Sequence, residues 1–151
     1  MIVDSIEKGI VIDHITAGRG LDLIERLGID RNSNTIAFIM NASSGKYGKK
    51  DLVKIENVTD VDLTVLGLID PNATVNTIEN GEIKEKIHLK LPEKVCNVIA
   101  CKNPRCVTSV EENIPHIFHL TDERSKEYRC EYCDDLVATG TRTGSRNEFL
   151  Y

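Results

Sequence analysis

Apolar positions along the chain change their period several times, and each change marks an element. Gly9-Ile-Val-Ile-Asp-His-Ile15 is a β-branched run closed by Thr16-Ala17-Gly18, which predicts a buried strand. Leu23, Ile24 and Leu27 then fall at i, i+1 and i+4, the stripe of a short helix, with Gly28 where a left-handed C-terminal residue is wanted. Thr35-Ile-Ala-Phe-Ile-Met40 predicts a second strand, and the polar stretch Asn41 to Gly48 a loop. From Lys50 to Asn57 the pattern alternates, with Val53 and Ile55 on one face and Lys50, Leu52 and Lys54 on the other. Thr59 and Asp62 have the spacing of a capping pair, and Val61, Val65, Leu68 and Ile69 follow at helical spacing until Asp70-Pro71 ends the helix. Ala73 to Glu79 reads as a strand. Asn80-Gly81 is a two-residue hairpin turn, and the return strand turns Ile83, Ile87 and Leu89 inward and Lys84, Lys86 and Lys90 outward.

The order strand, helix, strand, strand, helix, strand, strand predicts an α+β chain. Its first part is an N-terminal ferredoxin-like βαββαβ sandwich with an added strand, helices covering one face of the sheet. Leu91-Pro92-Glu93-Lys94 breaks the pattern and reads as a hinge into a small antiparallel β domain, which Cys101, Cys106, Cys130 and Cys133, spaced as two close pairs, mark as a zinc ribbon. The expected division is 1–92, 93–138 and a disordered tail over 139–151, where apolar periodicity stops and Thr, Gly, Arg and Ser take over.

The sharpest chemical signal lies in the second part. Cys101 and Cys106 form C-x4-C, and after 23 residues Cys130 and Cys133 form C-x2-C. Two tight thiolate pairs suit one tetrahedral ion, zinc ahead of iron. Four sulfur ligands leave no position for water or substrate, so the ion is structural. The segment has too few large apolar residues for a core of its own, and the metal is expected to supply its folding energy, about 10–16 kcal/mol for structural zinc. Two disulfides are the competing reading, against which stand an odd cysteine count and an amino terminus, Met1-Ile2-Val3-Asp4, with neither a basic region nor an apolar run. A reduced, cytoplasmic chain is expected. The fifth cysteine, Cys96, reads as a buried small hydrophobe, and His116 and His119 as structural or surface residues.

Charge narrows the function classes. The 151 residues carry 19 Lys and Arg against 24 Asp and Glu, a net charge of −5, and only 5% are aromatic with no Trp. That balance argues against the nucleic-acid binding that a zinc ribbon with nearby Lys102, Arg105 and Arg129 would otherwise suggest, which stands as the alternative reading. No apolar run reaches the length of a membrane span. A phosphate-cradling loop at Gly45-Lys46 would need glycine at position 40 and Ser or Thr at 47, where the chain has Met40 and Tyr47. No convincing acid, base and nucleophile set exists, so the chain is not expected to be an enzyme.

Several strings, taken together, resemble the regulatory chain of aspartate carbamoyltransferase: Gly9-x-Val-Ile-Asp-His-Ile15, Gly48-Lys-Lys-Asp-Leu-Val-Lys-Ile-Glu-Asn57, Pro71-x-Ala-Thr-Val-Asn76, Leu91-Pro-Glu93 and the paired cysteines. The likeness runs in register from about Val3 to Val137. It implies a non-catalytic allosteric regulatory subunit of pyrimidine biosynthesis, with an N-terminal domain binding CTP, UTP and ATP and a zinc domain holding the catalytic chain, regulatory chains pairing as homodimers. Carried over by position, the effector pocket would use Val3, Asp4, Ser5, Ile6, Asp13, His14, Lys54, Asn76, Ile78, Ile83 and Lys86, and the catalytic-chain contact would include Asn103 and Asp134. Asp13 and His14, adjacent in a strand, can touch one ligand only near a strand end or a bulge. Lys50 and Lys54, about 13 Å apart by strand rise, can converge on a triphosphate.

Overall fold

In the computed structural model, which describes residues 3–30, 32–45 and 48–139, the chain divides into two units, Met1–Lys90 and Leu91–Tyr151. The first contains strand β1 (Gly9–Thr16), helix α1 (Gly20–Arg26), strands β2 (Ile36–Ser44) and β3 (Gly48–Glu56), helix α2 (Leu63–Ile69) and strands β4 (Thr74–Glu79) and β5 (Glu82–His88). The strands form one antiparallel sheet in the order β2-β3-β1-β4-β5. This is the ferredoxin-like arrangement with β5 appended at one edge.

Cross-strand partners share a face. Ile10 opposite Ile55, and Ile12 opposite both Val53 and Val75, form the apolar face. It packs with Leu23 and Ile24 of α1 and with Leu66, Leu68 and Ile69 of α2 into a buried core. Each such side chain stabilises the unit by roughly 1.5–3 kcal/mol. Asp51 has the same parity as Val53 and Ile55 and is wholly buried. Its carboxylate accepts the backbone N–H groups of Gly18, Gly20 and Asn41, each at 3.0 Å, and so ties the start of α1 and the middle of β2 to β3. Gly20 is glycine because a Cβ there would lie 2.5 Å from the Phe38 ring and 2.9 Å from the Asp51 side chain.

Three local expectations for this unit are corrected. The stretch after Met40 is strand, not loop: β2 runs on to Ser44, its irregularity between Ile39 and Ala42 absorbed by Asn41 at φ 56. Helix α2 is capped by Asp62 itself, whose carboxylate accepts from the N–H groups of Thr64 and Val65, so Thr59 and Val61 lie before the helix. Asp62 is a better acceptor for these N–H groups than a hydroxyl, and its charge suits the helix amino end. Ile83 is 60% exposed rather than inward. A register shift between Thr77 and Ile78 inserts an extra residue into β5, which sets Ile83 on the side of Ile78 and away from the helices. The Asn80-Gly81 turn has φ values of 54 and 76, as a two-residue hairpin of this type requires.

The second unit holds β6 (Lys94–Cys96), a one-turn helix α3 (Val107–Val110), β7 (Ile117–Asp122), β8 (Glu127–Cys130) and β9 (Leu136–Ala138), in the sheet order β6-β7-β8-β9. It does possess an apolar core, a small one of Leu91, Val95, Ile99, Phe118 and Tyr128. The Tyr128 hydroxyl donates to the Pro92 carbonyl, and burial pushes this phenol up to about 12. Cys96 is exposed, not buried, because it ends β6 at the edge of the sheet while Val95 takes the inward position. Thr139 belongs to the folded unit, its N–H and hydroxyl both donating to the Lys126 carbonyl; the rest of the expected tail, 140–151, lies outside the described residues. Among the described residues no helix is long and apolar enough to cross a membrane.

Candidate functional site

The four spaced cysteines converge. Asn103 builds the first loop: its side-chain oxygen accepts the Arg105 N–H at 3.0 Å, and its carbonyl accepts the Cys106 N–H at 3.0 Å and the Ser109 hydroxyl at 2.7 Å. In the second loop, Asp134 at φ 64 turns the chain so that its N–H reaches the Cys130 carbonyl at 3.0 Å. The Sγ atoms of Cys101, Cys106, Cys130 and Cys133 all lie within 4.8 Å of one another. Cys101 and Cys133 are 3.6 Å apart, Cys106 and Cys130 3.8 Å. Metal–sulfur bonds of about 2.3 Å in a tetrahedron give edges of about 3.8 Å, whereas a disulfide would hold sulfurs at about 2.05 Å. The donor set therefore fits a structural metal ion.

The surroundings support the sulfurs. Thr108 donates its hydroxyl to Cys106 Sγ at 3.1 Å, and His116 Nδ1 accepts the Cys101 N–H at 3.0 Å, which requires that nitrogen to be unprotonated. Burial pushes the Cys101 thiol up to about 12 and raises Cys130 as well. For Cys106 burial acts in the same sense, but hydrogen bonds from the Thr108 side chain and backbone outweigh it and bring the thiol down to about 7. Four sulfurs so enclosed cannot all ionise unless a cation compensates them, so loading an ion must release protons. Beside the cage, Arg129 is ion-paired with Asp134, and His119 Nε2 lies within hydrogen-bond distance of the Glu131 carboxylate at 3.0 Å. Val107, Val110, Tyr132 and Leu136 are exposed apolar residues of the same unit.

The residues expected to bind an effector gather on the sheet face turned away from the helices. Val11 pairs with Lys54 on one side and Asn76 on the other, and Asn76 pairs with Lys86, so the side chains of Lys54, Val11, Asn76 and Lys86 form one row across β3, β1, β4 and β5. Ile78 and Ile83 are paired next to it. The amino-terminal segment lies near the row: Lys54 Nζ donates to the Asp4 carbonyl at 3.4 Å, Ile6 is buried, and Val3 and Ser5 are at least partly exposed. Asn76 is only 9% exposed, yet its Oδ1 has no hydrogen-bond partner, the one such buried side-chain atom among the described residues.

Asp13 and His14 reach the same side through a bulge. The β1 register shifts between Ile12 and Ile15, and His14 adopts φ 58, so its Nδ1 comes within 3.2 Å of the Thr74 hydroxyl, Thr74 being the partner of Asp13. Lys50 Nζ meets the Asp13 carboxylate at 2.7 Å. Burial alone would raise Asp13, but the Lys50 hydrogen bond, the His14 backbone N–H and the Lys50 charge together hold it below the usual carboxylate value. Val11 and Thr74 were not foreseen as part of this face. The parity of Val11 with Asp13 is the signal that would have found it; Thr74 becomes visible only through strand pairing.

The same division appears in comparison with known proteins. Residues 1–90 match the family described as aspartate carbamoyltransferase regulatory chain, allosteric domain, and residues 93–140 match the metal binding domain of that regulatory chain. Among curated relatives, the aspartate carbamoyltransferase regulatory chain of Clostridium botulinum is 53% identical over 140 residues, 93% of this chain and 96% of the relative. That of Clostridium acetobutylicum is 55% identical over 136 residues, covering 90% and 93%. That of Bifidobacterium longum is 49% identical over 135 residues, covering 89% and 97%. With a four-cysteine cage in the matched metal-binding part and a sheet of the expected topology in the matched allosteric part, the chain belongs to the family of aspartate carbamoyltransferase regulatory chains, the non-catalytic subunit of that enzyme.

Proposed function

We propose that this chain senses nucleoside triphosphates, CTP, UTP and ATP, on the open face of its five-stranded sheet and transmits their binding to aspartate carbamoyltransferase catalytic chains through the zinc-stabilised second unit. The observation that carries the effector half is Asn76. A buried carbonyl oxygen without a partner costs about 1–3 kcal/mol, and here it sits in a row between Lys54 and Lys86. A donor on a bound nucleotide, an exocyclic amine or a ribose hydroxyl, satisfies it, while the two lysines, about 14 Å apart across three strand spacings, offer charge to the phosphates. Asp13, His14, Ile78 and Ile83 complete the walls, and Val3, Asp4, Ser5 and Ile6 close over the nucleoside.

Zinc is the ion that best suits four thiolates in a closed tetrahedron. The catalytic chain docks on the unit that carries the cage, through Asn103 and Asp134 and the exposed apolar residues Val107, Val110, Tyr132 and Leu136. A homodimer of regulatory chains forms through the outer edge of β2. The first half of that edge strand, Ile36 to Met40, is apolar, with Met40 51% exposed, whereas the opposite edge strand β5 carries Glu82, Lys84, Glu85 and Lys86 and resists pairing. Neither nucleic acid nor membrane is a partner, and the chain works in the cytoplasm. For nucleic acid a gel shift at low salt is the check.

Binding that favours one arrangement of the assembly over another yields coupling of about 1–3 kcal/mol. The test is calorimetric titration of the zinc-loaded full chain with CTP and ATP, followed by mixing with catalytic trimers of the enzyme. Heat of binding, a larger assembly and an aspartate saturation curve that moves with CTP are expected. No heat with either nucleotide overturns the effector reading; binding without assembly overturns the docking one.

A further inference from the structure

At the far end of the same sheet lies a polar cleft of about 540 Å³ lined by Glu7, Lys8, Glu56, Asn57, Glu79 and Asn80. Asn80 and Gly81 form the exposed hairpin tip, at φ 54 and 76, and a Cβ on Gly81 would meet nothing within 4 Å, so open space lies beside this peptide bond at Gly81 Cα. One contact does protect it. The Gly81 N–H donates to the Glu7 carbonyl at 2.9 Å, a bond from the hairpin to the segment leading into β1.

We propose that Asn80-Gly81 is a self-modifying deamidation site of this chain, held in check by the Glu7 carbonyl. The reaction requires the Gly81 nitrogen as nucleophile. Once the Glu7 bond opens and base in solution removes its proton, that nitrogen attacks Asn80 Cγ; a C–N bond forms, the Cγ–Nδ2 bond breaks and ammonia leaves. Water then opens the five-membered imide at either carbonyl, leaving aspartate or isoaspartate. No oxidant or reductant takes part. Glycine is the residue that least obstructs ring closure, since it lacks a Cβ at the attacking end. While Gly81 N–H remains bonded to Glu7 the nitrogen is neither free to rotate nor easily deprotonated, so the rate follows local opening of the amino-terminal segment.

The product changes the cleft. A carboxylate at position 80 joins Glu7, Glu56 and Glu79, faced by Lys8 and by Lys84, whose charge is already engaged with Glu79 at 2.9 Å. Isoaspartate also lengthens the backbone by one methylene in a turn that sets the register of β5, the strand bearing Ile83 and Lys86. Weakened nucleotide binding after conversion rests on the effector reading above; the conversion itself does not.

The experiment incubates the metal-loaded full chain at mildly alkaline pH and follows each asparagine by peptide mapping, beside a synthetic peptide of residues 77–83. Asn80 should be the first asparagine of the described chain to convert, faster at higher pH, yet at least about tenfold slower than in the peptide, as protection by a local opening step demands. Conversion at Asn57 or Asn97 before Asn80 overturns the site, and equal rates in protein and peptide overturn the role of Glu7. Asn80→Asp is then titrated with CTP next to the unmodified chain, with a loss of roughly twofold to fivefold expected from one added like charge. If the unmodified chain takes no CTP, the effector reading falls, while the masses still decide the deamidation site.

Discussion

Replacing Asn76 by leucine should move stability and nucleotide affinity in opposite directions. The two side chains have similar branching, but leucine has no carbonyl to leave unsatisfied at a position only 9% exposed. Removing that unsatisfied group returns about 1–3 kcal/mol to the free chain. In a unit of this size each kcal/mol raises the midpoint by about 4–8 °C. The same change deletes the acceptor proposed for the nucleotide, and a neutral hydrogen bond of about 0.5–1.5 kcal/mol corresponds to roughly 2- to 13-fold in affinity. Scanning calorimetry on the zinc-loaded chain measures the first effect and CTP titration the second. A merely structural asparagine would give the reverse pair, a lower midpoint with unchanged CTP affinity, and that result refutes the argument. Opposed effects of this kind are what a binding site held ready at a cost in stability produces.

Three further outcomes are expected. Stripping the metal with a chelator, or Cys133→Ser, should unfold the second unit, because five apolar side chains cannot replace the about 10–16 kcal/mol of a structural ion; an unchanged near-ultraviolet signal from buried Tyr128 would contradict this. Asp51→Asn keeps the shape of the carboxylate but turns an amide donor towards at least one of the three N–H groups it now accepts. The loss should be about 1–3 kcal/mol, read as a lowered urea midpoint with unchanged slope, and a shift within error would show that the carboxylate is no anchor. Asp13, held below its ordinary value of 3.8 when folded, contributes stability that is complete above that value and is lost as pH falls below it through the folded pKa. Asp13→Asn should therefore flatten the acid limb of the stability profile below about pH 4, whereas an identical limb in the variant would remove Asp13 from the account.

What the amino-acid sequence decided by itself was whatever depends on local spacing. The alternation of Lys50 to Asn57, the Asn80-Gly81 turn and the stop at Asp70-Pro71 each follow from the geometry of a few neighbouring residues, and each appears in the structure. The cysteine spacing carried the metal site for the same reason: two short loops can each bend around one ion, whatever the rest of the chain does. Pairing between distant strands decided the remainder. A bulge in β1 put Asp13 and His14 on one face, and another shift in β5 set exposed Ile83 beside Ile78. Likewise Asp51, in the parity of core residues, became buried only because Gly18, Gly20 and Asn41 bring it three N–H groups from elsewhere in the fold. Cys96 shows the converse, since a small apolar residue lies in the open when its strand ends at a sheet edge. Register and edge position are properties of strands meeting across long stretches of chain, and a one-residue slip reverses every side chain beyond it, so no local pattern could have settled them.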